Sequence, residues 1–262
     1  MKEWRHRRFC CSCGWQNTDP LSGRKGERKL EYRSLFSGLR FAVGPSSVCV
    51  RSEQPLRVLS SAPVRGGWCE ATDIVNRRVP ADYCEPDPQR DTVRWLIRHG
   101  FEPEKAVALM TAARTEDAAC VRVEGDGFCL AALVTAGVGN AVRAGNAGIS
   151  DDDRWRPGTI NTILLVDGHV TESAMAGALV TATEAKAAAL QDLGVTDPQG
   201  NVATGTSTDA VVIARLHRAG GPIHLYAGTV SPLGIAVARA VYDAVAEAVL
   251  REKAREVGKD ES

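Results

Sequence analysis

From residue 33 onward the chain alternates short apolar runs with turn signals. Leu35-Phe36, residues 39–43, 48–50 and 56–62 are apolar, and Gly44-Pro45 and Gln54-Pro55 punctuate them. Short runs bounded in this way predict an antiparallel meander of three or four strands. Gly66 and Gly67 follow, a pair that permits positive φ and close backbone approach. Asp73-Ile74-Val75-Asn76 then opens the next element, and Pro80, Pro86 and Pro88 mark 80–90 as a loop. Asp91 is placed to cap a helix over 92–99 that Gly100 ends. Pro103 is placed to open another through Ala113, with Val107, Met110 and Ala113 recurring on one face. Gly125-Asp126-Gly127 joins strands over 118–124 and 128–135 as a hairpin.

Continuous aliphatic and β-branched runs over 159–166, 210–216 and 223–227 predict buried strands. An Ala-rich helix spans 172–193, from Thr171 to Gly194. Ser231-Pro232 opens a last helix that runs to about Val257, where Gly258 stops it. This order fits an α/β or α+β fold, a layered single domain with a mixed β-sheet packed by helices. It is not a Rossmann fold. Gly137-Val138-Gly139-Asn140-Ala141-Val142-Arg143-Ala144-Gly145 lacks the Gly-x-Gly-x-x-Gly spacing, and no acidic residue follows a strand at the required distance. Residues 31–257 are read as that domain, 1–30 as a flexible basic extension containing cysteines, and 258–262 as a polar tail.

Composition narrows the function classes. The chain has 262 residues, 44% hydrophobic and 24% charged, which is ordinary for a globular protein with a sizeable core. Its 32 basic and 32 acidic residues cancel, which argues against a nucleic-acid partner for the whole chain. Neither a signal peptide nor an apolar run of the roughly 18–20 residues that span a bilayer is expected. A cytoplasmic, reduced location follows, with most of the eight cysteines acting as small core fillers. Cys10-Cys11-Ser12-Cys13 is half a metal site without a second pair. Asp151-Asp152-Asp153 does not have EF-hand spacing, and the five histidines form no ligand pair, so no metal site is expected.

The chemistry concentrates in polar segments at element ends, where the backbone can approach a ligand. In the 172–193 helix, Lys186 shares a face with Met175, Leu179, Ala182 and Leu190. It is either a side chain snorkelling to the rim or a cation aimed into a site. Glu184 lies on nearly the opposite face, so a straight helix brings both residues to one site only if the ligand is large. The segment Thr204-Gly205-Thr206-Ser207-Thr208-Asp209 precedes a buried strand. Asp209 is the natural general base there, with a Thr or Ser nucleophile left open. Asn140 and Asn161 supply amides for an oxyanion or for substrate amides. No Gly-x-Ser-x-Gly elbow is present, and nothing singles out Cys69 or Cys129 as a nucleophile.

These segments resemble the CbiZ family, the adenosylcobinamide amidohydrolases of corrinoid salvage. The resemblance runs from about Leu59 to Ala246. It rests on Leu59-Ser60-Ser61-Ala62 with Gly66-Gly67, Ile74-Val75-Asn76, Met110-Thr111-Ala112-Ala113 and 136–141. Gly158-Thr159-Ile160-Asn161, 181–186, Ala203-Thr204-Gly205-Thr206, Asp209 and Tyr226-Ala227-Gly228-Thr229 complete it. Ser207 stands where the family pattern usually has Gly. The resemblance implies hydrolysis of the amide between the aminopropanol group and the corrin ring, giving adenosylcobyric acid. It implies no cofactor beyond the cobalt inside the substrate. Catalysis would fall to Asp209, Glu184, Lys186 and Asn140. Gly66, Gly67, Asn76, Gly137, Gly139, Thr159, Asn161, Thr204, Gly205, Thr206, Thr208 and Thr229 would contact substrate. A corrinoid-binding module without hydrolysis, a hydrolase of another amide, and a homo-oligomer all stay open.

Overall fold

The computed structural model describes residues 6–9, 30–146, 158–217 and 220–260. The strands are β1 (His6–Phe9), β2 (Arg33–Phe36), β3 (Leu39–Val43), β4 (Ser47–Ser60), β5 (Gly67–Arg78), β6 (Ala106–Thr111), β7 (Ala119–Gly125), β8 (Phe128–Gly137), β9 (Ala141–Val142), β10 (Thr159–Val170), β11 (Gly205–Thr206), β12 (Ala210–Leu216) and β13 (Ile223–His224). The helices are α1 (Pro88–Arg98), α2 (Glu172–Asp192) and α3 (Pro232–Asp260).

Among the described residues, eleven strands form one mixed sheet. Its main path is β1-β7-β8-β10-β12-β4-β3-β2. β4 is long enough to serve two neighbours on one edge, β3 with residues 48–52 and β12 with residues 57–60. Its other edge carries β5, which pairs in parallel with β6. The sheet curls until Asn161 of β10 donates a hydrogen bond to the carbonyl of Met110 in β6, at 2.7 Å. β10 and β12 are parallel and joined through α2, while β8 is antiparallel to β10.

The alternation of side chains along these strands divides the core in two. Leu130, Val134, Ile160, Leu164 and Ile213 face outward onto α2 and α3, against Ala178, Ala182, Val241 and Val245. Leu133, Ile163, Leu165 and Val212 face the inside of the curl and meet Leu56, Ile74 and Leu109. Alanines on both helices let them lie close to the sheet. A third cluster packs Trp95 and Leu96 of α1 on Val75 and Ala108.

Several expectations change here. Residues 103–113 are not a helix but a 3-10 turn, Pro103–Lys105, followed by β6. Residues 106–109 are all buried, between the curl interior and α1, whereas a helix would have to expose one side. A short apolar run rich in alanine cannot reveal that, because both periods fit it. α1 begins at Pro88 with Asp87 as its cap, and Asp91 is committed to a buried ion pair instead. Gln54-Pro55 is an irregularity within β4 rather than a turn, in keeping with proline's tolerance at bulges. The strand at 223–227 shrinks to β13, and Gly258 lies inside α3 rather than ending it. Residues 6–9 pair with β7, so that part of the extension is a strand. Cys10, Cys11, Cys13 and the acidic run at 151–153 lie outside the described residues. No described helix is long and apolar enough to cross a membrane.

Leu109 is fully buried in β6. Leu109→Ala is expected to lower stability by about 2–5 kcal/mol in urea denaturation, the cost of a cavity in a packed core.

Candidate active site

Asp209 immediately precedes β12, at the ends of β10 and β12 where their register starts. Each of its carboxylate oxygens accepts two hydrogen bonds. Oδ1 accepts from the Ile160 backbone N–H at 3.0 Å and from the Thr206 hydroxyl; Oδ2 accepts from the Thr206 backbone N–H at 3.1 Å and from Lys186 Nζ. Lys186 is 7% exposed on the packed face of α2, so it is turned inward rather than snorkelling. A buried ammonium requires a counter-charge, and Asp209 supplies it.

Gly205 explains why this knot closes. A Cβ there would lie 2.4 Å from Asp209 Oδ2 and 2.7 Å from Lys186 Nζ. Only a residue without a side chain leaves room for the pair.

A second loop is tied to the first. β9 pairs with β11, and Thr204 accepts from the Ala144 N–H at 2.9 Å. Asn140, 8% exposed, donates from Nδ2 to Ser207 Oγ at 2.8 Å, while its buried Oδ1 has no hydrogen-bond partner. Gly158 makes room for that oxygen, since a Cβ there would fall 2.2 Å from it. Thr208 donates to the Gly158 carbonyl at 3.0 Å and forms a short hydroxyl contact with Thr159. Behind the Gly137–Asn140 turn, the Val138 N–H donates to both oxygens of Glu252 in α3, each at 3.0 Å.

These loops border a cleft of about 410 Å³. Asn140, Thr159, Thr208 and Asp209, all anticipated from the sequence, line it together with Ser207. Asn76 and Asn161 are buried beneath it. Asn161 Nδ2 donates to Asn76 Oδ1 at 2.8 Å, Asn76 donates to Thr135, and Asn161 Oδ1 accepts from the Ala210 N–H. They brace the strands under the cleft. Gly137 is buried against Gly158 and Ala113 rather than in the lining, and Gly139 is an exposed turn residue beside Asn140. Lys186, Thr204, Gly205 and Thr206 form the supporting knot rather than the lining.

Glu184, Gly66, Gly67 and Thr229 are not brought to this cleft. Glu184 is exposed on α2 and Thr229 on the turn before α3. Gly66 and Gly67 build the β4–β5 connection. Gly67 has a φ of +80°, and a Cβ on Gly66 would fall 2.4 Å from the Ala62 carbonyl oxygen.

The opposite wall was not anticipated. It includes Tyr83, Pro80, Val79 and Met110. The Tyr83 hydroxyl donates to Asp91 Oδ2 at 3.0 Å, and Asp91 is paired with Arg77 at 2.7 Å. Burial and this hydrogen bond push the Tyr83 phenol up to about 12. Burial alone would raise the Asp91 carboxyl, but the Arg77 and Tyr83 hydrogen bonds outweigh it and hold the group below its ordinary value. Met110 falls in the 110–113 segment of the resemblance, but no motif marks Tyr83, Pro80 or Val79, because the wall joins a proline-rich loop to α1 and β6.

Gly205→Ala is expected to break the Lys186–Asp209 pair and cost about 3–5 kcal/mol in denaturant unfolding, as uncompensated buried charge does. The Asp91 carboxyl is lowered on folding, so its contribution is complete above the unfolded value of 3.8 and is lost as pH falls through the lower folded value. The difference in melting temperature between the native chain and Asp91→Asn is therefore expected to be full at pH 7 and to shrink below about pH 4.

Residues 33–257 match the family profile described as CbiZ, adenosylcobinamide amidohydrolase. An uncharacterised protein of Methanocaldococcus jannaschii is 30% identical over 216 residues, covering 75% of this chain and 82% of that protein. A protein named adenosylcobinamide amidohydrolase from Methanosarcina mazei is 32% identical over 154 residues, 59% of this chain and 67% of its own length. Another of that name, from Halobacterium salinarum, is 29% identical over 189 residues, 69% of this chain and 74% of its own length. With a match from the first strands of the meander into the last turn of the final helix, this chain belongs to the CbiZ family of amidohydrolases.

Proposed function

We propose that this enzyme hydrolyses the amide joining aminopropanol to the corrin ring of adenosylcobinamide. The products are adenosylcobyric acid and the free amino alcohol, and the acid returns to cobalamin synthesis. The observation that carries this reading beside the family is the pairing, in one cleft, of an unpartnered amide oxygen on Asn140 with the Asp209 carboxylate. A buried acceptor without a donor suits a ligand rich in N–H groups. In this reading cobalt arrives only within the substrate.

Among the described residues Asp209 is the one carboxylate lining the cleft, so it takes the base role ahead of Glu184. Its four acceptor positions are all engaged, and the Thr206 hydroxyl is the donor that can rotate away. The freed position on Oδ1 accepts a proton from water as the water oxygen attacks the amide carbon. The C–N bond then breaks, and the proton passes to the leaving nitrogen, giving an amine and a carboxylic acid. Lys186 holds Asp209 in place and offsets the negative charge that grows nearby. Asn140 Oδ1 accepts the N–H of the scissile amide and so orients its carbonyl.

Mass spectrometry of the purified chain incubated with adenosylcobinamide tests the reaction. Adenosylcobyric acid and aminopropanol are expected. A corrinoid retained unchanged on the protein would favour a binding module, and hydrolysis of unrelated amides at equal rates would remove corrinoid specificity. Asp209→Asn is expected to lower kcat by about 10²–10⁴-fold, the usual weight of a general base. Glu184→Gln is expected to change it by less than about threefold, as an exposed residue outside the cleft should. The opposite ranking would return the base role to Glu184.

A further inference from the structure

The two walls of the cleft are chemically unlike. One presents hydroxyls, an amide and a carboxylate from Asn140, Ser207, Thr208 and Asp209. The other presents carbon, from Tyr83, Met110, Val79 and Pro80. The polar tips of that second wall are turned away and tied down. Tyr83 gives its hydroxyl to Asp91, and the Met110 sulfur accepts a hydrogen bond from Thr92 Oγ1 at 3.0 Å. Asp91 and Thr92 are neighbours near the start of α1, and Arg77 Nη1 contacts both, at 2.7 and 3.3 Å. The Arg77 guanidinium also lies between two rings, 5.8 Å from the centroid of Tyr83 and 5.6 Å from that of Trp95. The aromatic ring of Tyr83 is thus fixed at its hydroxyl and backed by a cation, in a loop that otherwise has few anchors.

A rigid ring whose polar end is already satisfied has its carbon face to offer. A corrinoid bearing its adenosyl group is far larger than a cleft of about 410 Å³. The cleft can admit the aminopropanol arm and the adjoining edge of the ring system, while the bulk of the macrocycle stays at its mouth. We propose that Tyr83 is a specificity-determining residue, forming with Met110 a preset apolar wall that receives the edge and methyl groups of the corrin macrocycle. This assignment rests on the corrinoid reading of the site. It separates two tasks: the polar wall reacts with the amide arm, and the apolar wall selects what the arm is attached to.

Kinetics of the full chain, Tyr83→Ala and Tyr83→Phe on adenosylcobinamide test it, beside retention of cobinamide on each by spin filtration and a melting curve for each. Tyr83→Ala is expected to raise KM and weaken cobinamide retention by about tenfold with kcat within about threefold, as loss of an aromatic anchor does. Tyr83→Phe keeps the ring and is expected to retain KM within about threefold, because the ring rather than its hydroxyl meets the ligand. Unchanged KM and retention in a folded Tyr83→Ala would overturn the assignment. So would an equal loss in Tyr83→Phe, since that loss would belong to the bond with Asp91. If the native chain retains cobinamide without hydrolysing it, the reaction proposed above fails, and the retention ratio still decides the wall. If the native chain neither retains nor hydrolyses corrinoids, both readings fall.

Discussion

A buried lysine and the partly buried aspartate it pairs with hold the cleft together. Lys186 reaches inward from α2 because Ala182 and Ala189 on the same face let the helix sit close to the sheet. Once it is there, its charge needs Asp209, and Asp209 needs its other donors to fill its remaining lone pairs. Those donors come from β10 and from the 204–208 loop, so the ion pair fixes the distance between a helix and two strands. Gly205 follows from the same constraint, because the pair occupies the space where a side chain would begin. The conformation of the whole 204–209 segment is therefore a consequence of giving a buried ammonium its counter-charge.

The other polar features extend this arrangement outward. The two-stranded sheet of β9 and β11 transmits the position of the 204–206 segment to the loop that carries Asn140. Glu252 fixes the start of that loop from α3. Asn76 and Asn161 close the end of the curl interior beneath the cleft, taking up amide groups that a purely aliphatic core would leave nothing to match. What reaches solvent is a small set of hydroxyls, one amide and one carboxylate, backed by a buried network in which most polar atoms have partners. The Asn140 oxygen is one exception, and its residue lines the cleft.

The elements of the second half were legible from the chain. The β10–α2–β12 order, the hairpin of β7 and β8, and the Ser231-Pro232 start of α3 each carry a local signal that does not depend on distant contacts. The site segments were also legible as Gly, Thr and Asn clusters at element ends, and most of the polar lining came from them. β6 was not legible. Its run of Ala, Val, Ala and Leu fits a helix as well as a strand, and what makes it a strand is the free edge of β5, more than thirty positions earlier. Asp91 was misread for a similar reason. A carboxylate before an apolar run looks like a cap, yet the capping role fell to Asp87 and the Arg77 side chain claimed Asp91.

The sequence by itself determined which segments are apolar enough to be buried, where most of them begin and end, and that the polar chemistry gathers at their ends. It did so because period, turn chemistry and capping are properties of neighbouring residues. Only the tertiary structure decided that Lys186 faces Asp209 and Glu184 does not, that Asn161 braces the cleft from below, and that Tyr83 lines the same cleft as Asp209. Each of these depends on how far the sheet curls and on which edge of β4 receives which strand. The Lys186–Asp209 and Asn161–Asn76 contacts join residues 23 and 85 positions apart, which no local pattern records.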